Sequence, residues 1–177
     1  MRPRHTPGLG AILLLVAVVA LLVSGEDGCG GAEEAVDRAE GPRSVTAEVL
    51  RVVDGDTIEV SIEGATEDVR YIGVDTPESA IPGEAVECFG RRASALNERL
   101  VSGRTVRLRF DSERRDRYGR LLAYVHARGR FVNAELVRRG FARTLTIPPN
   151  DAHAPLFARL ERAAGRAGRG LWDVCVS

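Results

Sequence analysis

Acidic residues and arginines of this chain recur in four short motifs. These are Asp54-Gly55-Asp56-Thr57, Arg70, Asp75-Thr76-Pro77-Glu78 and Asp116-Arg117-Tyr118-Gly119-Arg120. The carboxylates offer oxygen ligands to a hard metal ion and leave one side chain free to act as a base. A guanidinium group binds phosphate through two parallel hydrogen bonds. The combination predicts chemistry on a phosphodiester.

The Asp-Gly-Asp motif has two competing interpretations. On its own it usually forms a turn, because Asp and Gly tolerate the backbone angles that turns need. It also matches the start of an EF-hand calcium loop, but that loop needs a ligand, a glycine and a glutamate where this chain has Ile58, Glu59 and Ala65. A metal-binding role for Asp56 therefore depends on the other motifs lying nearby in the fold.

Alternating apolar residues predict five strands that position these motifs. Ile58, Val60 and Ile62 alternate with polar residues at the two-residue period of a half-buried strand. In the first strand the alternation changes phase at Leu50, which predicts a β-bulge. The predicted strands span residues 45–53, 57–62, 68–74, 104–110 and 120–126.

Three helices are predicted around these strands. In the first, apolar residues recur every three or four positions from Phe89 to Leu100, and Gly103 ends it. The other two span residues 132–139 and 154–167, each followed by a glycine. The predicted fold class is α+β and mainly β. Five short strands with a helix between the third and fourth fit a five-stranded OB-fold barrel, and a generic α+β domain is the alternative at this point.

The N-terminal segment differs in composition from the rest. Basic residues precede an apolar run from Ala11 to Val23, and small residues follow, as in a signal peptide. The run is shorter than the roughly 20 residues that span a bilayer. We therefore expect residues 1–25 to be a signal peptide of a secreted or cell-envelope protein, with an uncleaved membrane anchor over residues 8–25 as the alternative. Residues 26–43 are acidic and predict a flexible linker, and residues 44–177 form the folded domain.

The charge balance limits the function classes. The chain carries 25 basic and 25 acidic residues, which argues against a strongly basic protein that coats nucleic acid non-specifically. Between Arg104 and Arg130, however, nine arginines face three acids, a local excess that suits a polyanion. Arg107 and Arg109 alternate with core residues, and we interpret them as solvated strand residues.

The chain has three cysteines, Cys29, Cys88 and Cys175. Thiols of exported proteins usually pair, so we expect Cys88 and Cys175 to form a disulfide that ties the C-terminal tail to the domain. In the chain-entropy model, a disulfide that closes a loop of this length raises the free energy of unfolding by up to about 4 to 5 kcal/mol. Cys29 would remain in the linker.

Several of these segments together resemble the thermonuclease family, the relatives of staphylococcal nuclease. They are residues 52–57, 69–78, 116–124 and 132–137. The likeness extends from about Ser44 to Trp172. It implies an OB-fold, which decides against the generic α+β alternative.

The resemblance also implies a metal site for one calcium ion. Its ligands would be the carboxylates of Asp56 and Asp75 and the main-chain carbonyl of Thr76. Few anionic ligands predict a weak, water-rich site. Asp54 would lie beside the site and orient it.

The catalytic residues implied by the resemblance are Arg70, Glu78 and Arg120. The two arginines would stabilise the charge that builds on phosphate, and Glu78 would position and deprotonate the attacking water. Arg117 and Tyr118 would contact substrate phosphates, although Tyr118 equally fits a packed loop aromatic. The segment from Arg143 to Pro148 lacks the tyrosines that stack on the nucleotide in the staphylococcal member.

The sequence therefore predicts an exported, calcium-dependent nuclease that hydrolyses DNA and RNA without sugar specificity and leaves 3′-phosphate ends. We expect a monomer without an obligate protein partner, in contact with a membrane only if its N-terminal segment is uncleaved. The alternative is a non-catalytic OB-fold module that binds nucleic acid or protein. Degenerate relatives of that kind lose metal or arginine positions, whereas this chain retains them.

Overall fold

A computed structural model describes residues 43–79 and 86–175 of the chain. The predicted signal peptide, all of the predicted linker except Arg43, and Cys29 lie outside the described residues. Within that part, the elements in chain order are β1 (Ser44–Val52), β2 (Thr57–Ile62), β3 (Ala65–Tyr71), β4 (Gly73–Asp75), α1 (Gly90–Val101), β5 (Thr105–Arg109), β6 (Leu121–Ala127), β7 (Arg130–Phe131), α2 (Val132–Arg138), β8 (Arg143–Leu145), α3 (Ala154–Arg166) and α4 (Leu171–Val174).

Five of the strands close into a barrel. The main sheet has the order β3-β2-β1-β5-β6-β7, and a parallel pairing of β3 with β6 closes the first five of these strands on each other. In that pairing Val69 lies opposite Leu121 and Arg70 opposite Leu122. Closure removes the free sheet edges and brings the end of β3 next to the start of β6. The predicted five-stranded OB-fold barrel is confirmed.

The barrel interior is filled by the inward half of each strand. Ile58, Val60, Val69, Val106 and Leu108 are fully buried, as the two-residue period of a strand requires. Helix α1 covers this core with Ala93, Leu96 and Leu100, and α2 adds Leu136 and Val137. A second cluster of Ile72, Tyr124 and Phe157 attaches α3 to the outside of the barrel.

The first strand bends where the sequence predicted it. The pairing of β1 with β2 shifts register between Val49 and Arg51, and Leu50 is exposed. The change of apolar phase at Leu50 is therefore a β-bulge, as expected.

The strand predicted over residues 68–74 is divided in two. Gly73 has a positive φ of 79°, so the chain turns there and β4 leaves the barrel to pair with β8. A side chain at residue 73 would overlap the ring of Phe157. The sequence analysis predicted neither β8 nor α4, because elements of three and four residues are too short to show a period.

The C-terminal end of the described chain is tied to the start of α1. Cys88 and Cys175 form a disulfide with a Cα–Cα distance of 5.9 Å. Helix α4 is anchored independently, because Leu171 is buried and its N–H donates to the carbonyl of Gly140 at 2.8 Å. Among the described residues, no helix has the length and apolar character needed to cross a membrane.

Candidate active site

The guanidinium of Arg70 lies between two carboxylates at the end of β3. Its Nη1 is 3.1 Å from Asp56 Oδ1, and its Nη2 donates to Asp75 Oδ1 at 2.9 Å. Nη1 also donates to the carbonyls of Val74 and Tyr71 at 2.8 and 3.2 Å. The side chain is only 15% exposed. Asp56 and Asp75 thus lie within the width of one guanidinium, although the strands β2 and β3 separate them in the sequence.

Asp56 is a buried carboxylate between β1 and β2. Its Oδ2 accepts the main-chain N–H and the hydroxyl of Thr76 at 2.7 and 2.9 Å, and Thr57 donates to Oδ1 at 3.3 Å. Burial raises the pKa of Asp56 to about 7, against the opposing effect of Arg70, and the charge of Asp54 adds to the rise. A carboxylate in this environment gains from a further cation beside it.

Asp54 shapes the turn that presents Asp56. Its Oδ1 accepts the N–H of Asp56 at 2.9 Å, the pattern of an Asx turn. Its carbonyl accepts from Asn97 Nδ2 at 2.9 Å, and Asn97 Oδ1 in turn accepts from the hydroxyl of Tyr71 at 2.9 Å. Asn97 is fully buried on α1. Sequence reasoning missed Asn97, although a polar residue next to Leu96 on the buried face of a helix is a signal that could have found it.

Glu78 follows Pro77 in the segment after β4. Partial burial raises the pKa of Glu78, and Asp54 raises it further, while Arg70 opposes the shift. A raised pKa makes the carboxylate a stronger base near neutral pH. The main-chain N–H of Glu78 donates to Glu87 Oε2 at 3.0 Å, a contact that the sequence analysis did not anticipate.

Arg120 is positioned by a carboxylate of its own loop. Asp116 Oδ2 accepts from Arg120 Nε at 2.8 Å, and Asp116 Oδ1 accepts the N–H groups of Arg120 and Tyr118 at 3.0 and 2.9 Å. Burial raises the pKa of Asp116, but the hydrogen bonds from Arg120 and Tyr118 outweigh it and hold the pKa below its ordinary value. Asp116 is thus an ionised anchor for Arg120, a role that the motif alone did not reveal.

Arg70 and Arg120 line one cleft of about 560 Å³, together with Arg117 and Tyr118. Tyr118 is 68% exposed, so the packed-aromatic interpretation of this residue is wrong. The guanidinium groups of Arg117 and Arg120 lie 4.8 and 5.5 Å from the centre of its ring. Leu145 and Ile147 also line the cleft, and they belong to the segment that lacks the stacking tyrosines of the staphylococcal member.

A family assignment follows from comparison with known proteins. The model of the family described as staphylococcal nuclease homologue matches residues 68–174, more than half of the chain. The thermonuclease of Staphylococcus intermedius is 35% identical over 164 residues, which cover 93% of this chain and 96% of that protein. The chain belongs to the staphylococcal nuclease family. The resemblance described above is confirmed, and this member of the family is a hydrolytic nuclease, a phosphodiesterase.

Two further relatives of this nuclease agree with the assignment. The thermonuclease of Staphylococcus hyicus is 32% identical over 169 residues, or 93% of this chain and 96% of that protein. Endonuclease YncB of Bacillus subtilis is 40% identical over 125 residues, or 70% of this chain and 59% of that protein. The likeness thus extends beyond staphylococcal sequences.

The residues around Arg70 of the nuclease fit a divalent metal ion, as the family implies. Asp56 and Asp75 contact the Arg70 guanidinium directly. Electrostatic effects link Asp54 and Glu78 to the same group. Four carboxylates therefore surround one cation, and the net charge of the group is negative. Their oxygen atoms are hard donors. Within the described ranges, no three acidic, histidine or cysteine side chains are close enough to hold a metal by themselves. Two of these carboxylates would therefore hold the ion only together with a main-chain carbonyl and water.

Proposed function

We propose that this nuclease hydrolyses DNA and RNA alike, requires one calcium ion and leaves 3′-phosphate ends. The observation that supports this proposal is that Arg70 belongs both to the cleft and to the group of carboxylates. Arg70 and Arg120 line its wall, and Arg70 also contacts the carboxylates of Asp56 and Asp75. A phosphodiester in the cleft would meet Arg70 and Arg120, and at Arg70 it would lie next to the proposed oxygen ligands Asp56 and Asp75.

The arginines would supply most of the stabilisation of the transition state. Negative charge grows on the non-bridging phosphate oxygens as the bond to the leaving oxygen breaks, and a fixed guanidinium donates more strongly as that charge grows. Asp116 fixes Arg120 and Asp75 fixes Arg70, so both groups are oriented before substrate binds. These cations would bind the phosphate group, which DNA and RNA share. The proposal therefore includes both polymers.

Glu78 would hold the attacking water and accept its proton. The carboxylate lies within electrostatic range of Arg70, Asp54 and Asp75, beside the proposed metal ligands. Its raised pKa favours proton acceptance over that of an ordinary glutamate. When the phosphorus–oxygen bond breaks, the 5′ oxygen takes up a proton from solvent and becomes the 5′-hydroxyl, and Glu78 then releases to solvent the proton that it took from water.

Calcium is the ion proposed for the residues Asp56, Asp75 and Thr76. Calcium accepts six to eight oxygen ligands and tolerates irregular geometry, which suits two carboxylates that are also held by Arg70 and Thr76. The ion would neutralise charge on the phosphate and lower the pKa of water.

Digestion of single-stranded DNA and of RNA tests the proposal. Each polymer is incubated with the full-length protein in calcium, then in an excess of chelator, then with magnesium in place of calcium. Activity on both polymers in calcium alone is expected. The variants Glu78→Ser and Arg120→Ala should each lose roughly 10²-fold or more in kcat, whereas Arg107→Ala, an exposed residue on β5, should match the wild type. Hydrolysis that persists in chelator, or binding without turnover in calcium, would overturn the proposal.

The bond that is cleaved is tested separately. A short oligonucleotide of known sequence is digested and its fragments are weighed by mass spectrometry. Cleavage of the bond to the 5′ oxygen leaves a phosphate on the 3′ end of the upstream fragment and a hydroxyl on the 5′ end of the downstream one. Fragments with the phosphate on the 5′ end would contradict this part of the proposal.

The proposal includes export and a monomeric enzyme. The apolar run near the N-terminus supports export, and the Cys88–Cys175 disulfide suits an oxidising compartment. Mass spectrometry of the mature protein should find a chain that starts near Glu26, and light scattering should give the mass of one chain. An N-terminus at residue 1 in the membrane fraction would support the anchored alternative.

A further inference from the structure

The segment before α1 is bonded directly to the main chain of Glu78. The N–H of Glu78 donates to Glu87 Oε2 at 3.0 Å, and the N–H of Glu87 donates back to the carbonyl of Glu78 at 3.0 Å. Both polar groups of the Glu78 main chain are therefore held by one residue. Neither Glu87 nor Glu78 lines the cleft, and besides these two hydrogen bonds the charge of Glu87 raises the pKa of the Glu78 carboxyl.

The first turn of α1 adds two contacts to the same stretch of chain. Gly90 packs so closely against Glu78 that a Cβ at residue 90 would overlap the Glu78 carbonyl oxygen. The hydroxyls of Ser79 and Ser94 are 2.6 Å apart. The position of Glu78 thus depends on where residues 87–94 lie.

The residue next to Glu87 is covalently anchored. Cys88 is bonded to Cys175, directly after α4, and α4 is fixed to the domain by the buried Leu171 and its hydrogen bond to Gly140. Because Cys88 is exposed, a reductant can reach the bond from solvent. The contact between Glu87 and Glu78 is therefore next to the Cys88–Cys175 disulfide, which a reductant can open.

We propose that Glu87 is a positioning residue for Glu78, and that the Cys88–Cys175 disulfide holds Glu87 in place, so that kcat of the nuclease depends on the disulfide being closed. The inference rests on the proposed role of Glu78 in the reaction. A carboxylate that must direct a water at phosphorus loses rate when its main chain shifts by a fraction of an ångström. Substrate binding by Arg70 and Arg120 does not pass through this contact.

Opening the bond needs a two-electron reductant, for which a dithiol suffices. One thiolate of the dithiol attacks the Cys88–Cys175 bond and forms a mixed disulfide with one cysteine. The second thiolate then attacks that mixed disulfide and releases the cysteine. At the end Cys88 and Cys175 each carry a proton and the reductant is a cyclic disulfide. The protein gains two electrons and two protons in total, and the dithiol loses the same number.

Substitutions at Glu87 test the positioning role. In Glu87→Ala the N–H of Glu78 loses its acceptor, and kcat should fall roughly tenfold or more while KM changes little. In Glu87→Gln an amide oxygen can still accept that N–H, so kcat should stay close to the wild type. Glu98→Gln, at an exposed residue on the neighbouring helix α1, is the matched control. Equal kcat in Glu87→Ala and the wild type would overturn the inference.

Reduction tests the dependence on the disulfide without a mutation. The wild type, Glu87→Ala and Glu98→Gln are assayed in calcium before and after incubation with dithiothreitol, at a temperature where circular dichroism shows each protein folded. The wild type and the Glu98→Gln variant should lose kcat. The Glu87→Ala variant should lose little more, because both changes act through one contact. An equal fractional loss in all three proteins would indicate a general effect on stability and would contradict the proposal.

Two further variants complete the design. Cys88→Ser combined with Cys175→Ser should reproduce the reduced wild type and be insensitive to dithiothreitol; full kcat in this double variant would overturn the role of the disulfide. Glu78→Ser separates this inference from the proposed function. If Glu78→Ser retains full activity the proposed function fails, whereas an inactive Glu78→Ser with fully active Glu87→Ala rejects only the positioning role.

Discussion

Asp116 accepts two hydrogen bonds from Arg120, one from Nε at 2.8 Å and one from the main-chain N–H at 3.0 Å. The carboxylate therefore fixes both the backbone and the guanidinium of the same residue. Arg120 also lines the cleft. This geometry is what a residue needs if it is to meet phosphate without reorganising.

The variant Asp116→Ala should lower kcat by releasing Arg120. The loss should be smaller than the roughly 10²-fold expected for Arg120→Ala, because the guanidinium is still present but no longer oriented. Glu135→Ala is the matched control, since Glu135 also binds arginines, Arg138 and Arg139, on α2. Steady-state rates on single-stranded DNA give the comparison, and an Asp116→Ala variant as fast as the Glu135→Ala control would contradict a positioning role.

The variant Arg70→Lys should be nearly as inactive as Arg70→Ala. Arg70 reaches Asp56, Asp75 and two carbonyls with two separate nitrogen atoms, and a single ammonium cannot replace that fork. We expect each variant to lose roughly 10²-fold or more in kcat. Arg107→Lys on β5 serves as the control for the exchange itself. Substantial activity in Arg70→Lys would show that charge alone is sufficient at this position.

Tyr71→Phe should reduce stability more than activity. The change leaves Asn97 Oδ1 buried without its donor, which costs about 1 to 3 kcal/mol. Asn97 Nδ2 can still hold the carbonyl of Asp54, so kcat should be largely preserved. Asn97→Ala removes both bonds and should lower stability and kcat together. Urea unfolding followed by tryptophan fluorescence measures the first quantity, and equal kcat in the two variants would contradict the link from Asn97 to the site.

The sequence was most informative where the signal is local. The alternation of Ile58, Val60 and Ile62, the phase change at Leu50 and the helical spacing from Phe89 to Leu100 all correspond to elements of the structure. Each of these patterns depends on residues within one element. The strand period, the bulge and the helix face could therefore be predicted without knowing the fold.

The contacts that orient the site were not predictable in the same way. Asn97 binds Asp54 at a sequence separation of 43 residues, and Glu87 binds Glu78 at a separation of 9. Their residue types are common on any surface, and only closure of the barrel shows which main-chain groups they meet. The family resemblance predicted that Asp56 and Asp75 lie together at a metal site. Their contacts with Arg70 and the burial that shifts the pKa of Asp56 were not predicted, because both depend on packing. The catalytic roles themselves stay predictions.

The stability of the calcium-free protein should fall as pH rises, because of Asp56. Burial raises the pKa of Asp56 from an ordinary value of 3.8 to about 7 in the folded state. A group with a raised folded pKa contributes its full stabilisation below the unfolded pKa and loses it as pH rises through the folded pKa. In chelator, we therefore expect the free energy of unfolding to decrease from about pH 4 to about pH 8.

The variant Asp56→Asn isolates this effect from other titrating groups. An asparagine keeps a carbonyl oxygen for Thr76 but carries no charge, so the part of the decrease that Asp56 causes should be absent from its pH profile, while the part due to the raised pKa of Glu78 remains. The difference between the two profiles should amount to a few kcal/mol, since each unit of pKa difference is worth about 1.4 kcal/mol. Calcium should reduce the decrease in the wild type and leave Asp56→Asn unchanged, because a cation beside the buried carboxylate stabilises its ionised form. If the free energies of unfolding of the two proteins change in parallel with pH in chelator, ionisation of Asp56 does not destabilise the folded protein. Burial of Asp56 would then give no reason for it to bind a metal ion.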